Sequence, residues 1–330
     1  MIISRTPFRI SFFGGGTDYP KWFQEHGGVV LATTIDKYCY ITCRYLPQFF
    51  EHKYRIVYST IENVGSIDQI VHPAARAVLG YHQCKNGLEI HHDGDLPARS
   101  GLGSSSSFTV GLINAIMALN GNYISKEELS VQAIDIEQNV IQESVGSQDQ
   151  ISAAFGGFNR IEFLQNGSFQ VTPIILQKGR LRELQGNLML YFTGLSRFAP
   201  EIAQSKIDNF KNRINELHRM KDMVDESIGI LQGGGSIDDF GRLLHDSWQY
   251  KRTLSSKVTT LEVDDIYDIA MANGAIGGKL LGAGGGGFML LFVPQERQAH
   301  MREKLKHLVN VPFQFENSGS RIVLYQPNGL

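Results

Sequence analysis

Two glycines and four consecutive serines, in DLPARSGLGSSSS (residues 95–107), run directly into FTVGLINAIMAL (residues 108–119), an apolar stretch with the character of a buried helix. Serine runs usually belong to flexible linkers, yet linkers do not normally open onto a helix with no polar face to spare. Gly101 and Gly103 allow backbone N–H groups to approach whatever lies in the turn. The unpaired amides and the dipole at the start of the following helix then favour an anion. Leu102 completes the turn, and the hydroxyls of Ser104, Ser105, Ser106 and Ser107 add donors, one of which could ligate a metal ion. Two readings stand: a capped helix after a flexible turn, or a cradle for phosphate.

The chain has 330 residues, 42% of them hydrophobic and 19% charged, an ordinary globular composition whose length predicts two domains. A net charge of −2 with scattered basic residues gives no reason to expect nucleic acid or an anionic membrane surface. Cys39, Cys43 and Cys84 form an odd set without a C-x-x-C pair, which argues against a disulfide scaffold or a structural zinc. Arg5 and Arg9 interrupt the N-terminal apolar residues, and no window approaches the roughly 20 apolar residues that span a bilayer. A soluble cytoplasmic protein, monomer or homodimer, is the expectation.

Strand-like patterning covers residues 1–13, 29–58 and 88–95. The serine run starts a helix that Asn120-Gly121 stops, and the capping box Ser125–Glu128 opens a second, expected to run to about Glu143. Strands resume through about Val171 and at Leu188, followed by helices over 200–231, 236–254 and 264–273. The end, FQFENSGSRIVLYQ, reads as a hairpin. A boundary within 175–187 divides an α/β first half, residues 1–180, from an α+β second half, 181–330.

A second glycine cluster, KLLGAGGGGF (residues 279–288), contains Gly282, Gly284, Gly285 and Gly286. With Gly287 it satisfies G-x-G-x-x-G, but a dinucleotide fingerprint leaves a strand and enters a helix. Here a helix precedes and the strand FMLLFV follows, so that reading is rejected. A Walker A loop fails on spacing and on the residue after Lys279. The glycines instead predict a backbone passing close to a ligand or to another loop.

Glu137 lies three residues after Ile134 and four before Ile141, on their helix face, where a carboxylate is costly unless paired or bound to a metal. Asp149 follows in SVGSQDQISAAFGG, between Gly146 and Gly156. Alone they read as a helix-surface glutamate and a turn aspartate. Beside a phosphate cradle they suit Mg²⁺, which needs few protein oxygens, and phosphorylation of a hydroxyl, which needs a carboxylate near the acceptor.

TPFRISFFGGGTDYP, DLPARSGLGSSSS and KLLGAGGGGF, in that order, resemble the three motifs of the GHMP small-molecule kinases, the family of galactokinase, homoserine kinase, mevalonate kinase and phosphomevalonate kinase. They span residues 6–288, nearly the whole chain. The resemblance implies an α+β GHMP kinase fold, with an N-terminal ribosomal-protein-S5-like α/β domain, a C-terminal ferredoxin-like domain and ATP between them. It makes the serine run the phosphate cradle. By position it gives Ser105 and Glu137 as Mg²⁺ ligands, Asp149 as the acceptor-activating carboxylate, Arg9 as its basic partner and Asp18 as a sugar-hydroxyl ligand. Ser104 and Ser106 are alternatives to Ser105 if the register is off by one.

Within the family, GGGTDYP, IEQNVIQESVGSQDQ, AAFGGFNRIEF, TGLSRFA and GGKLLGAGGGGF most resemble the kinases of D-glycero-D-manno-heptose 7-phosphate, with the kinase part of bacterial fucokinases close behind. Galactokinase has Glu-His where this chain has Gly15-Gly16, which leaves room and bare amides for a larger or phosphorylated acceptor, unless the glycines only serve a turn with positive φ. The amides of residues 14–16, Arg197 and Lys37 are the candidates to hold an acceptor phosphate. The expectation is therefore ATP-dependent phosphorylation of the anomeric hydroxyl of heptose 7-phosphate. A fucokinase-like C1 sugar kinase and a non-catalytic sugar and ATP sensor are the rival readings.

Overall fold

The computed structural model describes residues 1–98, 100–194 and 199–327. Its larger sheet is organised by one 18-residue strand, Gly28–Tyr45. Ile2–Phe13 lies antiparallel along one side of it. On the other side, Phe158–Phe163 pairs with the first half and Leu88–Gly94 with the second. The sheet continues through Tyr54–Val57, parallel to Leu88–Gly94, to Ile61–Val64. A smaller antiparallel sheet has the order Val309–Asn310, Leu188–Phe192, Phe288–Phe292, Gly277–Leu280.

The serine-initiated helix, Ser104–Leu119, packs on the first two strands. Phe108, Val110, Leu112, Ile113, Ala115 and Ile116 are all buried, as its nearly all-round apolar sequence requires. Around the other sheet, Trp248, Tyr267, Met289 and Leu291 form a separate cluster. Among the described residues, no helix is long and apolar enough to cross a membrane.

The chain end differs from the hairpin reading. Phe315–Glu316 pairs with Gly28–Tyr45, and Arg321–Tyr325 pairs with Ile2–Phe13, so the two segments pair with neighbours rather than with each other. Both add to the large sheet, and Glu316 in the first and Ser320, just before the second, are buried. The second capped helix also ends early: Lys126–Asp135 passes into a π-helical turn, Ile136–Val140. The stretch 175–187, read as a boundary, contains a helix, Lys178–Gly186, that the sequence reading did not place. A short strand, Gly277–Leu280, rather than a helix, leads into the second glycine cluster, which therefore joins two antiparallel strands.

Candidate active site

The pairing of Ile2–Phe13 with the long strand slips register between Pro7 and Arg9, and such irregularities re-aim side chains. Arg9 is buried, and its guanidinium grips Asp149 with two prongs: Nε donates to Oδ1 and Nη2 to Oδ2, each at 2.7 Å. Its third arm, Nη1, donates to the Gly101 carbonyl at 2.7 Å. Bidentate charge-assisted pairs are the strong ones. Asp149 lies in the first turn of a helix, Gln148–Phe155, and not in a loop. A quarter of its side chain remains exposed, which leaves the carboxylate accessible.

The serine turn closes on this pair. The Arg9 amide donates to the Leu102 carbonyl at 3.0 Å. A Cβ on Gly103 would stand 3.3 Å from the Arg9 Cγ and 3.5 Å from the Asp149 carboxyl carbon. Gly103 is the N-cap, in the left-handed region, and the Ser107 amide makes the bond back to its carbonyl. Of the four serines, Ser107 donates inward to the Pro7 carbonyl at 3.0 Å, and Ser106 donates to Glu137 Oε2 at 2.9 Å. Ser105 is exposed in the same turn.

Glu137 is held in the π-helical turn at 1% exposure. Single-turn π insertions are frequent at functional sites. Oε2 also accepts from the Gln150 side chain, whereas Oε1 is buried without a hydrogen bond. Burial pushes the carboxyl up to about 7, and the nearby Thr109, Ser106 and Gln150 side chains offset that only in part. A buried carboxylate oxygen lacking a partner, beside a serine hydroxyl, fits Mg²⁺, which takes one or two protein carboxylates and completes its shell with phosphate and water. Among the described residues, no group of three His, Cys, Asp or Glu side chains forms an all-protein metal cluster.

Asp18 is buried, with Oδ1 accepting from the Gly16 amide at 2.9 Å and Oδ2 from Gln148 Nε2 at 2.9 Å. Burial raises its pKa, the Gly16 amide opposes this, and the negative Asp149 reinforces it. The fit is tight: a Cβ on Gly146 would lie 1.9 Å from Asp18 Oδ2. Of the glycines between, Gly14 and Gly16 adopt positive φ, whereas Gly15 does not and has space around it. Lys37 is paired with its neighbour Asp36 at 3.2 Å, and no contact joins it to Arg9, Asp18 or Asp149 among the described residues. Arg197 lies outside the described residues.

The glycines of the second cluster meet the serine turn itself. A Cβ on Gly282 would come within 2.4 Å of the Gly101 Cα, and one on Gly287 within 2.2 Å of the Ser100 carbonyl oxygen. Gly282, Gly284, Gly285 and Gly286 all have positive φ. Of the two alternatives left by the sequence, the neighbouring loop is therefore one that these glycines demonstrably accommodate.

Three buried lysines escaped the sequence reading. Lys279 donates to the Phe12 carbonyl at 2.6 Å, and Lys251 to the Leu280 and Gly282 carbonyls at 2.7 Å each. Lys206 lies on a helix face with Ile202, Ala203 and Phe210. The signal that singled out Glu137, a charge on an apolar helical stripe, was available for Lys206 as well. Gln148 and Gln150 carried no signal of their own, because their partners come from distant segments.

A glycine-lined helix start closing on an arginine-braced carboxylate has the layout of a phosphoryl-transfer site. Residues 69–157 match the model of the GHMP kinases N terminal domain, and residues 198–310 that of the GHMP kinases C terminal domain. The chain is 31% identical over 322 residues to the D-glycero-alpha-D-manno-heptose 7-phosphate kinase of Campylobacter jejuni, covering 92% of this chain and 93% of that one. It is 26% identical to the L-fucokinase/L-fucose-1-P guanylyltransferase of Bacteroides fragilis, over 94% of this chain and 36% of that one. Among solved structures, a D-glycero-D-manno-heptose 1-phosphate kinase from Bacteroides thetaiotaomicron superposes with a TM-score of 0.80 at 25% identity, covering 98% of each chain. The chain belongs to the GHMP kinases.

Proposed function

We propose that this protein is a sugar kinase that transfers a phosphoryl group from ATP to the anomeric hydroxyl of D-glycero-D-manno-heptose 7-phosphate, giving the 1,7-bisphosphate. The observation that carries the chemistry is the bidentate Arg9–Asp149 pair against the head of the serine helix. The acceptor is supported by the 31% identity, over nearly the full length of both chains, to a heptose 7-phosphate kinase.

In this reading the amides and hydroxyls of the 101–107 turn bind the ATP phosphates. Asp149 orients the acceptor hydroxyl and takes its proton, and Arg9 keeps that carboxylate ionised and fixed. The ring oxygen makes an anomeric hydroxyl more acidic than other sugar hydroxyls, so no strong base is required. Asp18 holds a sugar hydroxyl. Glu137, with Ser105 or Ser106, would hold Mg²⁺, which offsets charge on the phosphates.

The test is an acceptor panel of heptose 7-phosphate, free heptose, mannose, fucose and galactose at one concentration of ATP and Mg²⁺, with the phosphorylated position read by phosphorus NMR. Heptose 7-phosphate should give the highest kcat/KM and a C1 product. A free sugar such as fucose matching or exceeding it would replace the heptose reading with the fucokinase-like one. No turnover of any sugar would favour a sensor.

A further inference from the structure

Lys206 is a buried cation with no ion-pair or hydrogen-bond partner among the described residues. Its residue is 5% exposed, and it follows Ala203 and precedes Phe210 on a face that packs with Tyr19, Trp22 and Ile151. Its ammonium stands 5.6 Å from the centre of the Tyr19 ring. Among the described residues, no carboxylate lies within ion-pair reach of it, and no hydrogen bond holds its Nζ. The other two buried lysines differ, because their ammonium groups are spent on backbone carbonyls.

The helix that carries it is fixed. Ser144 donates to Gln204 at 2.7 Å, the Ser205 and Ser255 hydroxyls bond at 2.7 Å, and Asn209 donates to the Leu254 carbonyl at 2.9 Å. Lys206 is therefore held beside Tyr19, the neighbour of Asp18, and on the cluster that includes Ile151, two residues beyond Asp149. Asp18 and Asp149 are the negative groups whose fields reach it, and Arg9 is the positive one. Burial lowers the ammonium to about 8, so it remains mostly charged at neutral pH.

An ammonium largely withdrawn from water and without a protein partner is unfavourable. Of the two carboxylates whose fields reach it, Asp149 is already gripped by Arg9. We infer that Lys206 is the acceptor-side phosphate ligand, its ammonium pairing with the phosphomonoester dianion that the sugar already carries. This rests on the reading of the acceptor as a sugar phosphate, and it names a residue on the described helix where the sequence offered Arg197, Lys37 or the glycine amides.

The experiment compares wild type, Lys206→Met and Lys206→Gln in kcat/KM for heptose 7-phosphate and for free heptose at saturating ATP and Mg²⁺. Binding of both acceptors is measured calorimetrically without nucleotide. In the wild type, the ratio of the two kcat/KM values should exceed about 30, the range for a charge-paired group. In both variants it should collapse toward one, mainly through weaker binding of the phosphorylated acceptor. Melting temperatures report folding, and removal of an unpaired buried charge should not lower them. A wild-type ratio near one sinks the phosphorylated-acceptor reading and this assignment with it. A large wild-type ratio that survives in both folded variants, or equal losses on the two acceptors, overturns the Lys206 assignment alone.

Discussion

At Asp149 one guanidinium occupies both carboxylate oxygens through its Nε and Nη2 and reaches the serine turn through Nη1. Removing either partner disturbs the same unit. Asp149→Asn should lower kcat by roughly 10²- to 10⁴-fold, the range for a general acid–base group, with little change in ATP binding. Arg9→Ala should also be slow, and the double variant should lose less than the two singles combined. Near-normal kcat in folded Asp149→Asn protein would remove this carboxylate from the mechanism. Glu137 and its serine neighbours call for a different readout. Glu137→Gln and Ser106→Ala should raise the Mg²⁺ concentration for half-maximal rate, because each alters one oxygen of the proposed site. Ser105→Ala decides whether the exposed hydroxyl or the Glu137-bonded one matters more. Unchanged Mg²⁺ dependence in all three would move the metal elsewhere.

Among the elements, the contact of two loops is the most demanding. Gly287 has φ +111, and a Cβ there would meet the Ser100 carbonyl oxygen at 2.2 Å. Gly287→Ala must therefore push the glycine-rich hairpin away from the serine turn. We expect a loss of stability above about 2 kcal/mol together with a raised KM for ATP, checked by urea unfolding and by kinetics. The Ser125–Glu128 capping box provides the contrast. Ser125→Ala should cost about 1 kcal/mol of stability and leave kcat unchanged, since the cap lies at the opposite end of its helix from Glu137. A raised KM in the capping variant, or an unmoved KM in Gly287→Ala, would contradict this division of labour.

For the molecule as a whole, the buried lysines set a pH dependence. Burial, with Arg9 and Lys206 adding repulsion, brings Lys279 from 10.5 down to about 7. The unfolded chain keeps that proton to a higher pH than the folded one does, so folding stability should rise with pH from about 7. Lys206 and Lys251, also lowered by burial, act in the same direction. Above about 9 the buried Cys39 and Cys43 thiols, raised by burial, pull the other way, because the unfolded chain ionises them first. Denaturant midpoints from pH 7 to 9 should therefore increase, with a shallower rise in Lys279→Met. A flat or falling profile in the wild type would contradict the assignment. Removing residues 314–330 should be far more damaging than trimming an ordinary terminus, since it strips Arg321–Tyr325 from Ile2–Phe13 and Phe315–Glu316 from the long strand.

Much of this protein was legible in residue order. The all-round apolar character of residues 108–119 dictated a buried helix, and the glycines before the serines marked the turn from which it starts. Glu137 on an isoleucine face announced a buried carboxylate, because a helix presents residues three and four apart on one side. The capping box marked the residue where its helix begins. What the sequence could not supply was partnership across distance. Asp149 read as a turn residue because the Gly146 and Gly156 flanks outweighed eight residues of helix. The π-helical turn at 136–140 has no periodicity of its own, and it set Glu137 against Ser106 rather than Ser105. The final strands looked like a hairpin because their patterning fits either pairing, and only the open edge of Ile2–Phe13 decided it. Local propensity and periodicity act within a few residues, so they specify elements, caps and turns. Which carboxylate meets which cation depends on register, bulges and close backbone approach between segments a hundred or more residues apart, and those are properties of the packed chain alone.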